Sequence, residues 1–255
     1  MFISLFVSVR LVFMIPDSVE YRPLPFSAKE LDAIEASFPG EFVKGSEATE
    51  ERFRSEAGKF DILHLATHAV TDESNPLRSK LVFSKSIGPE DGFLYAYEIY
   101  NLRLNARMTV LSACNTGTGR IVRGEGVMSL ARSFAYAGCP SLVMSLWSID
   151  DKATEIIIGK FYEGLARGLP KDEALREAKL FLMNSSEPRY RNPYYWAGLV
   201  HVGDPSPLGP IPVKTSTIWP WIVVSVLAIA GFAVPILNKN RRRSDGIGPE
   251  PNELS

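Results

Sequence analysis

Two cysteines, Cys114 and Cys139, and three histidines are all that 255 residues contain. So few cysteines exclude a disulfide framework, and without a CxxC pair or a Cys/His ligand spacing no metal site is expected. Charge of one sign is lacking as well. Lys and Arg number 28 against 29 Asp and Glu, a net charge of −1. Nucleic acid is therefore not an expected partner, since it calls for a basic face. Phosphate-binding loops are missing too. The glycines at 117, 119, 124 and 126 match neither GxxxxGK[ST] nor a GxGxxG that opens a helix, so a nucleotide-binding reading has only composition behind it and no cofactor is expected. Finally, the apolar start Met1 to Ile15 has no basic head and no small-residue cleavage site. It makes a poor export signal, and its β-branched content reads as a strand.

What is present is organised around Val110-Leu111-Ser112-Ala113-Cys114-Asn115-Thr116-Gly117. An apolar run from Met108 to Leu111, closed by small residues and a glycine-rich stretch, predicts a buried strand ending in an exposed turn. Upstream, Phe60 to Ala69 has the same form, with His68 at its end. If these strands are parallel neighbours, His68 and Cys114 meet at the carboxyl edge of the sheet, where open α/β folds place reactive groups.

The rest of the chain fits such a sheet. Ser27 to Phe38 and Ser46 to about Glu56 have helical spacing, Ser46 and Thr49 both suiting the second start. Ser79 to Ser84 and Phe93 to Tyr95 predict a hairpin, followed by a short helix. Gly126 to Tyr136 predicts a helix and Ser141 to Trp147 a strand. Asp150 to Ala166 and Pro170 to about Met183 predict two long helices before a last strand, Leu199 to Gly203. Alternation of this kind indicates a three-layer α/β domain with a mainly parallel sheet, over residues 1–204. A proline-rich linker, 205–217, then leads to 20 uncharged residues, 218–237. That length spans the roughly 30 Å hydrocarbon core, and Trp219 and Trp221 suit its interface. A basic, then polar tail, 238–255, is expected to be disordered.

His68 beside a thiol can take its proton or hold the thiolate, and later protonate a leaving amine. The backbone amides of Ala69 and Cys114 could steady an oxyanion. A histidine near a strand is more often structural, however, and a buried cysteine more often packs. His64 and His201, inside apolar strands, read as structural, and Cys139 as a small core residue. Asp150, with Trp147 just before it, is open to two readings: a carboxylate in the substrate pocket, or the cap of the helix that begins there.

His-Leu-Ala-Thr-His-Ala at 64–69 and Leu-Ser-Ala-Cys-Asn-Thr-Gly-Thr-Gly at 111–119 resemble the histidine and cysteine motifs of CHAT domains. These are caspase-like peptidases often attached to tetratricopeptide repeats. Further stretches at 124–134, 145–151 and 193–198, with Leu24-Pro25-Phe26 and Glu30-Leu31, follow the family in order. The resemblance implies a caspase-like α/β/α sandwich with His68 and Cys114 as catalytic dyad. It departs at Ala69, where members often have glycine, and in a short N-terminal part with no repeat array before it. The sequence thus reads as a membrane-anchored cysteine endopeptidase acting on a protein or peptide. The alternative is a catalytically silent CHAT domain serving as a membrane-tethered interaction and signalling module. A repeat region or activator protein is an expected partner. Lys239 and Arg241 to Arg243 follow the apolar helix, which places the tail in the cytoplasm and the catalytic domain outside it, its export signal lying upstream of this sequence.

Overall fold

The computed structural model describes residues 11–16, 27–72, 74–86, 88–112, 125–147 and 149–209. All of them lie in the first of two units, residues 1–213 and 214–255. In chain order the elements are β1 (Leu11–Pro16), α1 (Ser27–Ser37), β2 (Gly40–Gly45), α2 (Glu50–Glu56), β3 (Ile62–Leu65), β4 (Ala69–Val70), β5 (Lys80–Val82) and β6 (Phe93–Tyr95). Then come α3 (Ala96–Ile99), β7 (Met108–Leu111), α4 (Glu125–Tyr136), β8 (Ser141–Ser145), α5 (Asp151–Ala166), α6 (Lys171–Met183) and β9 (Leu199–Gly203).

Every residue of β3, β7 and β8 is buried, which is why they read as unbroken apolar runs rather than alternating ones. They form the middle of a six-stranded sheet of order β2-β1-β3-β7-β8-β9, parallel throughout except for β9. Alternation of side chains divides the interior in two. Ile62, Met108, Val110 and Val143 face a core shared with α1, α5 and α6. Leu63, Leu65, Leu111 and Met144 face another built with α2, α3 and α4. The result is a three-layer α/β/α domain with a mainly parallel central sheet.

Three local outcomes differ from the sequence reading. The strand expected over Phe60 to Ala69 is shorter. Its last rung is the Ala66 N–H to the Met14 carbonyl, 3.1 Å, after which the chain turns out of the sheet and begins β4. The edge strand β2, Gly-Glu-Phe-Val-Lys-Gly, was not expected. Bounded by glycines and with only two apolar residues, it resembles a turn, and pairing with β1 decides its conformation. Helix α2 is capped by Thr49, whose Oγ1 accepts the Arg52 N–H at 3.2 Å, so it starts later than Ser46.

At the amino edge of the sheet, Arg107 donates its guanidinium to the Leu208 carbonyl and, at 3.2 Å, to the Pro207 carbonyl. Leu208 is buried there, so the described chain ends fastened to the base of β7. Residues 218–237 and the tail lie outside the described residues. Among those described, no helix is long and apolar enough to cross a membrane.

Candidate active site

β3 and β7 are parallel neighbours, with His64 opposite Val110 and Leu65 opposite Leu111. The motif carrying His68 and the one carrying Cys114 therefore leave the sheet side by side at its carboxyl edge. Cys114 itself, with the glycine-rich stretch after it, lies outside the described residues.

His68 is 6% exposed and sits where the chain crosses from the central sheet to the small antiparallel sheet β4-β5-β6. Two bonds to one residue, Val82, hold it there. Thr67 Oγ1 donates to the Val82 carbonyl, and the Val82 N–H donates to the His68 carbonyl at 2.9 Å. Because the second bond flanks the Ala69–Leu81 pair, that pair is of the non-hydrogen-bonded kind, and the Ala69 N–H points away from β5.

Beneath this edge lies a buried polar cluster. His64, wholly buried, has Nδ1 3.0 Å from the Tyr162 hydroxyl and Nε2 3.0 Å from Oε1 of Glu30. The other oxygen of Glu30 accepts a hydrogen bond from Ser112 Oγ at 3.1 Å. Burial, and then the charge of Glu30, push the Tyr162 phenol well above its ordinary range. At the start of α5 the Asp151 carboxyl is raised chiefly by burial and by the like charges of Asp150 and Glu30, while His68 opposes the shift. The Asp151 carboxyl thus lies within the field of His68. Neither Glu30 nor Tyr162 stood out in the sequence as a polar member of the core, although Glu30 adjoins the apolar positions Leu31 and Ile34.

Asp150 Oδ1 accepts the Ala153 N–H at 3.0 Å and caps α5, the second of its two readings. Trp147 is half-exposed. It donates Nε1 to the Tyr194 carbonyl at 3.1 Å and packs on Gly198, where an added Cβ would lie 2.7 Å from the indole. His64 is a hydrogen-bonded core residue, and His201 bonds Ser141 Oγ at 2.9 Å. Burial raises the Cys139 thiol and lowers the His201 imidazole. A groove of about 560 Å³ between α6 and β9, lined by Leu175, Lys179, Met183, Trp196 and His201 among others, contains none of the candidates except His201. Among the described residues no group of three or more His, Cys, Asp or Glu could hold a metal ion.

A three-layer α/β domain with a histidine at the carboxyl edge of its sheet defines the class. The sequence profile of the CHAT domain matches residues 6–204, and the chain belongs to that family. Among curated proteins it is similar to tetratricopeptide repeat protein 28 of Mus musculus, 26% identical across 72% of this chain and 9% of that protein. The Homo sapiens protein of the same name is 25% identical across 72% and 8%. The chain thus spans about a tenth of the length of these relatives. Among solved structures it is similar to the Saccharomyces cerevisiae separase–securin complex, with a TM-score of 0.49, 16% identity, and coverage of 78% of this chain and 12% of that one. For the Arg-specific cysteine proteinase gingipain R the figures are 0.46, 9%, 78% and 47%.

Proposed function

We propose that this CHAT domain is a cysteine endopeptidase of caspase-like fold, anchored to a membrane through residues 218–237. The observation that carries the reading is the parallel pairing of β3 with β7, which brings the histidine and cysteine motifs to one edge. In the proposed reaction His68 accepts the Cys114 thiol proton. The sulfur adds to the scissile carbonyl, and the Ala69 amide receives the oxyanion. As the C–N bond breaks, the imidazolium returns the proton to the departing amine. Water, deprotonated by the same imidazole, then hydrolyses the thioester and releases the acid and the free thiol.

The substrate is a protein or peptide, and a tetratricopeptide-repeat region is the proposed partner, in keeping with the name of the curated relatives. The anchor rests on the uncharged run with its flanking tryptophans. The basic cluster behind it supports a cytoplasmic tail and an extracytoplasmic domain.

The test is covalent labelling of the full chain by a panel of peptidyl acyloxymethyl ketones, beside Cys114→Ala and His68→Ala. Labelling of the wild type, lost in both variants, is expected. A folded wild type that no probe labels would favour a silent, membrane-tethered interaction module instead.

A further inference from the structure

A carboxylate as deeply buried as Glu30, 4% exposed, costs several kcal/mol by desolvation unless its oxygens are well partnered. Its neighbours on α1, Leu31 and Ile34, are wholly buried in the apolar core, where an aliphatic residue would serve packing at no such cost. Glu30 divides its two oxygens between two strands. His64 lies opposite Val110 in the β3–β7 register, and Ser112 follows Val110 by two residues, so both side chains share one face of the sheet. Along β7 they are offset by one pleat, roughly 7 Å, and the carboxylate spans that offset with Oε1 toward His64 and Oε2 on Ser112.

The arrangement also dictates where the His64 proton lies. The Tyr162 phenol has one proton and faces Nδ1. In neutral His64 it donates there, which leaves the ring proton on Nε2, 3.0 Å from Oε1 of Glu30. In protonated His64 both nitrogens carry a proton, and Nε2 faces the carboxylate at the same separation. Among the described residues, the charged and titratable groups around the carboxylate are thus His64 from β3, Tyr162 and Asp151 from α5, with the Ser112 hydroxyl just past the end of β7.

We infer that Glu30 is a positioning residue. It clamps the carboxyl ends of β3 and β7 together, two residues before Cys114 and four before His68, and so sets the spacing of the dyad. The inference rests on the endopeptidase reading. Misplacement of reacting groups by about 1 Å is enough to slow a reaction on the order of a hundredfold, and loss of one clamp bond is expected to slow it roughly tenfold.

Iodoacetamide, too small to need a substrate pocket, tests this on the full chain, with the two cysteines followed separately by mass spectrometry. Cys139 is wholly buried and reports on folding, because a merely structural lesion would expose it. Glu30→Gln is expected to slow Cys114 alkylation roughly tenfold while Cys139 stays unreacted. Ser112→Ala should do the same, and the double variant should be no slower than either single one, since both remove one clamp. Where Glu30→Gln exposes Cys139, Ser112→Ala, at a half-buried position, decides the question. Wild-type alkylation rates in folded variants would overturn the inference, as would losses that multiply in the double variant. A wild type no faster than His68→Ala would instead sink the dyad itself, and the clamp with it.

Discussion

Asp150 and Asp151 are adjacent carboxylates with different work. Asp150 closes the first turn of α5, taking the Ala153 N–H on its side chain and the Thr154 N–H and hydroxyl on its carbonyl. Asp151 is the one within reach of the His68 and Glu30 charges. Asp150→Ala should therefore lower stability by about 1 kcal/mol, seen as a reduced urea midpoint with an unchanged slope, while the ranking of peptidyl probes stays as in the wild type. A reordered ranking would return Asp150 to the substrate pocket. Single residues were legible where their setting was simple: His64 and His201 lie within apolar strands, and the first is wholly buried, the second half-buried. Glu30 and Tyr162 were not, because helical periodicity assigns a face to a residue but does not say which polar side chain meets another across a sheet.

Among elements, the central strands and long helices could be read from apolar runs and helical spacing, whereas β2 could not. Its conformation comes from pairing with β1, and an added Cβ at Gly40 would lie 3.0 Å from the Leu11 carbonyl, a closeness no local pattern announces. The exit from β3 was equally hidden, since the bonds to Val82 join residues far apart in sequence. One connection permits a sharp test. Gly138, between α4 and β8, has φ +111°, and a Cβ there would lie 2.6 Å from the Leu104 carbonyl. Gly168, after α5, has φ +82° with nothing within 4 Å of such a Cβ. Gly168→Ala is expected to cost about 1–2 kcal/mol from backbone strain alone, and Gly138→Ala clearly more, because Leu104 must also move. Equal losses on urea unfolding would show that the close approach at Gly138 is relieved without cost.

For the molecule as a whole, the family and the layered architecture were legible in the order of motifs and the alternation of elements. The two interior faces were not, because strands buried on both sides carry no alternation from which to assign them. The proposed anchor is tested at this scale. Full-length chain is expected to stay with membranes through salt and alkaline washing. Paired Leu227→Arg and Ile229→Arg should release it, each arginine opposing insertion by about 3 kcal/mol. Retention of the double variant would rule out insertion of 218–237 as the means of attachment.

The hold of Arg107 on the Pro207 and Leu208 carbonyls also gives the domain two distinct poles. It keeps Pro207 and Leu208 at the foot of β7, while His68 stands beyond the head of β3. Those poles are separated by at least the four-residue length of a strand, roughly 13 Å. The last described residues and His68 therefore occupy opposite ends of the parallel strands, so a label fixed at one end reports on a different pole of the domain from a label at the other.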